Sequence, residues 1–410
     1  MDHKLDQQQL NLASCLRSLE SCGNHRIVRP RAWIAALLLV FGAAAAQAEP
    51  GAVRLIMPPA LYAAPGIEAN LYFENVVLVV NPANYAFDVD CEKGIQQAER
   101  WTFTPTADDA GTFPLTLRVR DGANTIIAEG TTSLVVAPAG AGKGQPVSML
   151  LIGDSLTHAS IYSQTLLDHA ATPEAPALTL VGSHAPKDDP ANRHEGYGGW
   201  TAARFATHYT DAPRDAPYLE RPSPFVYKDE AGAIGLDFAR YCAENLGGAP
   251  PDVVTIFLGC NDTFGAVDET IEATIDTMFA HMDALIAMIH GLHPETRIGL
   301  IAPVPPAASQ DAFGANYKNG QTRWQYLRNQ HRVVERMSAT YGGREPEHIS
   351  LIPAYVNLDC HRNYAAAAEP ANAQTETAIP RQNNGVHPDA PGYRQIGDSI
   401  YAWLLAGLAG

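Results

Sequence analysis

Residues 147–152 read Val-Ser-Met-Leu-Leu-Ile and residues 253–258 read Val-Val-Thr-Ile-Phe-Leu. Each run is apolar at nearly every position rather than at every second one. A strand made from such a run is buried on both faces, which is the situation of a parallel sheet covered by helices on either side. Shorter runs at 298–301 and 349–352 fit the same role. Between the runs the spacing changes. In the segment 269–290, Ile271, Ile275, Met278, Met282, Leu285 and Met288 recur every three or four residues, and 326–337 and 393–405 behave similarly; this predicts amphipathic helices. Strands alternating with helices over residues 147–410 predict an α/β domain with a parallel sheet, whose ligand sites lie at the carboxyl ends of the strands.

The segment before it has a different rhythm. From residue 51 to about 136, short alternating runs are broken by Asn, Pro, Gly and Asp, as in LYFENVVLVV followed by NPAN. Leu115, Leu117 and Val119 share one face of a strand, and Asp121-Gly122 turns the chain into the next. This predicts a small all-β domain over 49–136, an immunoglobulin-like antiparallel sandwich that lacks the Cys-Trp-Cys pattern. The stretch APAGAGKGQP, 137–146, has no periodicity and reads as a linker. Residues 1–48 read as a signal peptide: Arg26, Arg29 and Arg31 precede an apolar run that ends in Ala46-Gln47-Ala48. That run is shorter than the ~20 residues of a membrane span, so the expectation is export to the periplasm or beyond, with no stable membrane span after cleavage.

Charge and cysteines narrow the function. A formal net charge of −16 argues against nucleic acid, which needs clustered Lys and Arg to neutralise phosphate. After the leader, Cys91, Cys242, Cys260 and Cys360 remain; three pairings are open and the spacing favours none. Neither a C-x-x-C pair nor an H-E-x-x-H run is present, so no metal site is expected.

The first buried run breaks into Gly153-Asp154-Ser155-Leu156. A serine there is most often a turn or helix cap, and a nucleophilic serine needs a base and oxyanion donors. Candidate partners follow in order. Gly196-Tyr197-Gly198-Gly199-Trp200-Thr201 is a glycine cluster open to close backbone approach, Gly259-Cys260-Asn261-Asp262 ends the second buried run, and Asn384-Gly385-Val386-His387-Pro388 precedes the last helix. Taken together, these four blocks over residues 147–410 resemble the SGNH/GDSL hydrolase family. The resemblance implies a flavodoxin-like three-layer fold, no cofactor, and an acyl-transfer site. Ser155 would be nucleophile and His387 base; the Ser155 and Gly199 backbone N–H groups and the Asn261 amide would form the oxyanion hole. Gly198 is the alternative to Gly199. Asp154 and Asp262 read as turn-shaping and loop-fixing residues.

One position departs from the family pattern, which has Asp three residues before the His, where this chain has Asn384. An amide oxygen can orient an imidazole but brings no negative charge. The expectation is a Ser155–His387 dyad oriented by Asn384; Asp389 and Asp359 are alternative carboxylates. The function that follows is an exported serine esterase removing acyl groups, acetyl foremost, from a small molecule or polysaccharide. Tyr197 and Trp200, beside the glycines, are possible sugar contacts or packing residues. The alternatives are a lipase or arylesterase using the same groups, and a non-catalytic glycan-binding surface protein.

Overall fold

The computed structural model describes residues 53–318 and 320–409; the leader expected over 1–48 lies outside them. Five strands form one parallel sheet: β1 (Pro146–Gly153), β2 (Ala177–Val181), β3 (Val253–Phe257), β4 (Arg297–Ile301) and β5 (Ile349–Ile352). Their order across the sheet is β2-β1-β3-β4-β5, and every neighbouring pair is parallel. A two-residue strand, Glu195–Gly196, continues beside the end of β1 where β2 has left off, pairing Gly153 with Gly196.

Six helices cover the sheet: α1 (Ile161–Ala170), α2 (Ala202–Thr207), α3 (Phe238–Asn245), α4 (Ile271–Leu292), α5 (Arg323–Tyr341) and α6 (Ala390–Leu408). Leu150, Ile152, Val254, Ile256, Leu300 and Leu351 point to the side packed by α2–α5. Met149, Leu151, Val253, Ile301 and Ile352 point to the side packed by α1 and α6. Burial of both faces is what the unbroken apolar runs demanded, and it supplies most of the driving force for this part of the fold.

The α5 and α6 helices start before the periodic stretches read from the sequence because a side chain caps the first turn of each. The Thr322 hydroxyl accepts from Gln325 N at the start of α5, and the Asp389 carboxylate accepts from Gly392 N at the start of α6. Two hairpins, Val226–Lys228 with Ile234–Leu236 and Ala366–Asn372 with Thr375–Gln382, leave no sequence signal, being short or largely exposed.

The N-terminal residues form a four-stranded sheet (Ala60–Ala63, Ile126–Val136, Gly111–Arg120, Ala86–Asp90) and a three-stranded one (Ala69–Tyr72, Arg100–Phe103, Ile95–Gln96). Leu115, Leu117 and Val119 are fully buried, as their alternation requires. The turn after them runs through Thr125 rather than closing on two residues, because the Asp121 carboxylate gathers the N–H groups of Ala123 and Thr125. Within LYFENVVLVV, Phe73–Val76 is a helical turn. Local alternation is overridden there by Asn75, whose buried amide donates to the carbonyls of Tyr355 and Leu358. Leu71, Trp101, Leu117 and Val136 share a hydrophobic cluster with Ala302, Val334, Tyr355 and Val356 from beyond residue 146. Within the expected linker 137–146, residues 138–145 make successive turns with Gly140, Gly142 and Gly144 at positive φ, and Pro146 already begins β1.

Candidate active site

The carboxyl end of β1 delivers Ser155. Gly153 must be glycine, since any Cβ there would overlap Thr157 Oγ1 and approach the Phe257 carbonyl at 3.0 Å. Asp154 then caps the single helical turn Ser155–His158, its Oδ1 accepting from Leu156 N at 2.9 Å. Next to it, Tyr197 N donates to Gly153 O at 3.0 Å, which seats the glycine cluster against the serine turn. Trp200 N donates back to Tyr197 O at 3.1 Å with Gly199 at φ 77°, the backbone that a type II turn reserves for glycine at its third position.

His387 reaches the serine from 232 residues away, its Nε2 lying 2.8 Å from Ser155 Oγ. The loop that carries it is pinned on both sides. Ala307 N donates to Gly385 O, Asp389 N donates to Asn363 O at 3.0 Å, and Gln382 Nε2 donates to the carbonyls of Cys360 and His361. Asn384 Oδ1 accepts from Val386 N at 3.1 Å and from His387 N at 3.0 Å, and the imidazole Nδ1 lies 3.3 Å away. The two backbone donors fix which amide atom is the oxygen. That oxygen then selects the Nδ1–H tautomer and leaves Nε2 as the acceptor facing Ser155. Burial lowers the His387 pKa below the usual imidazole value, so the ring is neutral at pH 7 and able to take a proton.

The end of β3 supplies the third group. Gly259, at φ 120°, starts the helical turn Cys260–Thr263, and Asn261 Nδ2 donates to Asp154 Oδ2 at 3.2 Å and to Trp200 O at 3.1 Å. Asp262 Oδ1 accepts from Ala202 N at 2.9 Å, tying this strand end to the glycine cluster. The backbone N–H groups of Ser155, Gly198 and Gly199 make no backbone hydrogen bond among the described residues, which leaves them free to donate to an incoming oxyanion.

Two buried carboxyls flank Asn261. Burial, with the neighbouring Asp262 adding to it, raises Asp154 to about 7, and burial raises Asp262 to about 6. A carboxyl whose pKa rises on folding binds its proton more tightly in the folded state, so its contribution to stability falls as pH climbs from about 4 to about 7. Asp154→Asn should therefore gain stability relative to wild type between pH 5 and pH 8 in urea unfolding. The comparison is the change in that difference with pH, so any pH-independent cost of the substitution cancels, and an unchanged difference across that range would refute the linkage.

The structure brings Ser155, His387, Asn384, Asn261 and Gly199 to one end of the sheet, and it moves other candidates away. Tyr197 and Trp200 are not substrate contacts: both are fully buried. The Tyr197 hydroxyl is bonded to the buried Glu195 carboxylate, and the Trp200 ring packs 4.7 Å from Tyr197 and 4.9 Å from Phe205. They hold the glycine turn from beneath. Asp389 is occupied in capping α6, and Asp359 accepts from Arg362 and Tyr72. Neither carboxylate is hydrogen-bonded to His387, so the alternative orienting acids are set aside. One neighbour escaped the sequence reading. His158 Nδ1 lies 3.0 Å from Gly196 O and its ring stacks on His184 at 5.0 Å, joining the serine turn to the glycine cluster. Its partners are distant in sequence, so no local pattern announces it.

No known family model and no curated protein matches the chain. Solved structures are similar at low identity. The Clostridium thermocellum family 3 carbohydrate esterase is 16% identical, with a TM-score of 0.33 over 65% of this chain and 100% of that one. A carbohydrate acetylesterase family member from Sinorhizobium meliloti is 14% identical, with a TM-score of 0.36 over 64% and 99%. A mutant acetyl esterase with acetate ion is also 14% identical, with a TM-score of 0.33 over 64% and 98%. At these TM-scores the site stands on its own geometry. Cys91, Cys242, Cys260 and Cys360 are all unpaired.

Asn261→Ala should lower kcat for an ester substrate by roughly 10²–10³-fold, about 3–4 kcal/mol, with a smaller effect on KM. Unchanged turnover in the folded variant would remove Asn261 from the oxyanion site.

Proposed function

We propose that the protein is a serine esterase of the SGNH/GDSL type, exported through its leader and hydrolysing acyl esters, acetyl foremost, on carbohydrate. The observation that carries this reading is the 2.8 Å approach of His387 Nε2 to Ser155 Oγ with Nδ1 held toward the Asn384 oxygen. Support for the fold comes from the strand order β2-β1-β3-β4-β5, the flavodoxin-like order, with Ser155 at the carboxyl end of the first strand. The N-terminal sheets are read as a sandwich that buttresses the catalytic part.

In the reaction, Ser155 Oγ forms a bond to the ester carbonyl carbon while its proton passes to His387 Nε2. The carbonyl π pair moves onto oxygen, where the N–H groups of Ser155 and Gly199 and the Asn261 amide receive it. An oxyanion there competes with the Trp200 carbonyl for one amide hydrogen of Asn261. Collapse expels the alcohol, which takes the proton from His387. Water, deprotonated by the same imidazole, then releases the acid and restores Ser155.

Two measurements test the reading. Hydrolysis of p-nitrophenyl acetate should be accompanied by a serine-directed phosphonate adduct on Ser155; absence of both would leave a non-catalytic binding protein. Acetate release from acetylated polysaccharides, with a butyrate ester for comparison, should favour the acetyl sugar; a preference for the longer chain would make the enzyme a lipase or arylesterase.

A further inference from the structure

The amino ends of the central strands lie at the opposite end of the sheet from Ser155. There a cleft of about 240 Å³ is lined by Tyr62 and Val135 from the N-terminal strands, Arg297 at the first position of β4, Ser350, Glu345, and Trp403 of α6. Arg297 is the unusual member. Its guanidinium lies 5.3 Å from the Trp403 ring centroid and against Gly407, where any Cβ would overlap it. Its Nη1 is buried and has no hydrogen-bond partner among the described residues. Arg54, Arg118, Arg332, Arg336 and Arg344, by contrast, each meet a carboxylate. Arg193, Arg204 and Arg221 also lack an acid, but each donates to a backbone carbonyl, whereas the half-buried Arg297 donates to nothing among the described residues. A ring face stacks on a guanidinium but accepts nothing in its plane, so the buried Nη1 keeps its desolvation cost and the rest of the fork is left to meet a ligand.

We propose that this cleft binds a small monoanionic carboxylate ligand, of the sugar-acid kind, through Arg297. The planar fork of N–H donors matches a carboxylate in bidentate geometry. The Tyr62 hydroxyl, pushed up to about 12 by burial, keeps its proton at neutral pH and can be a second donor. The wall also carries Glu345 and His348, and because the His348 imidazole already faces Glu295 at 3.3 Å, Glu345 makes a dianion less welcome than a monoanion, which separates a carboxylate from a phosphate monoester. The volume is below the roughly 300–1,000 Å³ typical of sites for drug-sized ligands, which suits one sugar ring. Because Tyr62 and Val135 come from the N-terminal strands, both parts of the chain share the ligand. The site is separate from Ser155 and does not depend on the esterase reading.

Calorimetric titration and thermal unfolding of the full chain with glucuronate, glucose and glucose 6-phosphate test it. Glucuronate should bind and raise Tm, glucose should do neither, and glucose 6-phosphate should bind at least roughly tenfold more weakly than glucuronate. Arg297→Met, keeping the wild-type circular dichroism, should weaken glucuronate at least roughly tenfold and leave p-nitrophenyl acetate hydrolysis unchanged. Should that variant not fold, Glu345→Gln decides, because removing the wall charge should bring glucose 6-phosphate close to glucuronate. No glucuronate binding by the wild type, equal binding of glucose, or phosphate discrimination unmoved in Glu345→Gln would overturn the proposal.

Discussion

Ser155→Ala and His387→Ala are each expected to lower kcat for an activated ester by roughly 10⁴–10⁶-fold, and the double variant by little more than either single one. The reason for the non-additivity is geometric. Oγ is a useful nucleophile only while Nε2, 2.8 Å away, removes its proton, and the imidazole has nothing to activate once Oγ is gone. Stability should move little in either case, since both side chains are only partly buried and neither belongs to a hydrophobic cluster. Single-turnover kinetics with p-nitrophenyl acetate, beside urea midpoints, separate the two effects. A Ser155→Ala variant that still turns over at near wild-type rate would end the serine mechanism.

The second large effect belongs to Asn384. Asn384→Ala removes the acceptor shared by Val386 N–H, His387 N–H and the imidazole, and it should lower kcat by roughly 10²–10⁴-fold through loss of tautomer and loop order. Asn384→Asp keeps all three acceptor contacts and adds a negative charge beside Nδ1. It should restore or exceed wild-type kcat, and it should raise the His387 pKa by stabilising the imidazolium. The sign is readable in the pH profile. A base works when deprotonated, so the acidic limb of kcat in the wild type, where burial lowers the His387 pKa, lies below the ordinary imidazole value. In Asn384→Asp that limb should move to higher pH. Full activity in Asn384→Ala, or a limb that stays in place in Asn384→Asp, would show that something other than this side chain orients the ring.

Much of the site was legible because it sits where strand ends put it. Gly153-Asp154-Ser155 and Gly259-Cys260-Asn261 each follow a run apolar at nearly every position, and such runs form adjacent parallel strands whose carboxyl ends meet. His387 was legible only through the resemblance that the four ordered blocks carry, since a histidine before a helix is by itself ordinary. The aromatic pair beside the glycines was not. Tyr197 and Trp200 have the composition of a sugar platform, but they occupy one side of a tight turn whose other side holds the serine, and only packing reveals which side faces in. Asp389 misled in a related way, since a carboxylate two residues beyond a histidine can orient the ring or cap the next helix with equal ease in sequence.

The sequence by itself determined what local chemistry and periodicity can encode: the doubly covered parallel sheet, the strand–helix alternation, and the residue types at the strand ends. Tertiary structure decided which atoms meet. It placed the Asn384 oxygen between two backbone N–H groups and the imidazole, turned Tyr197 and Trp200 inward, gave Asn261 two protein acceptors, and left Arg297 without an acid. Periodicity fixes the face a residue shows, whereas a hydrogen bond depends on the position of a partner that folding brings from up to hundreds of residues away.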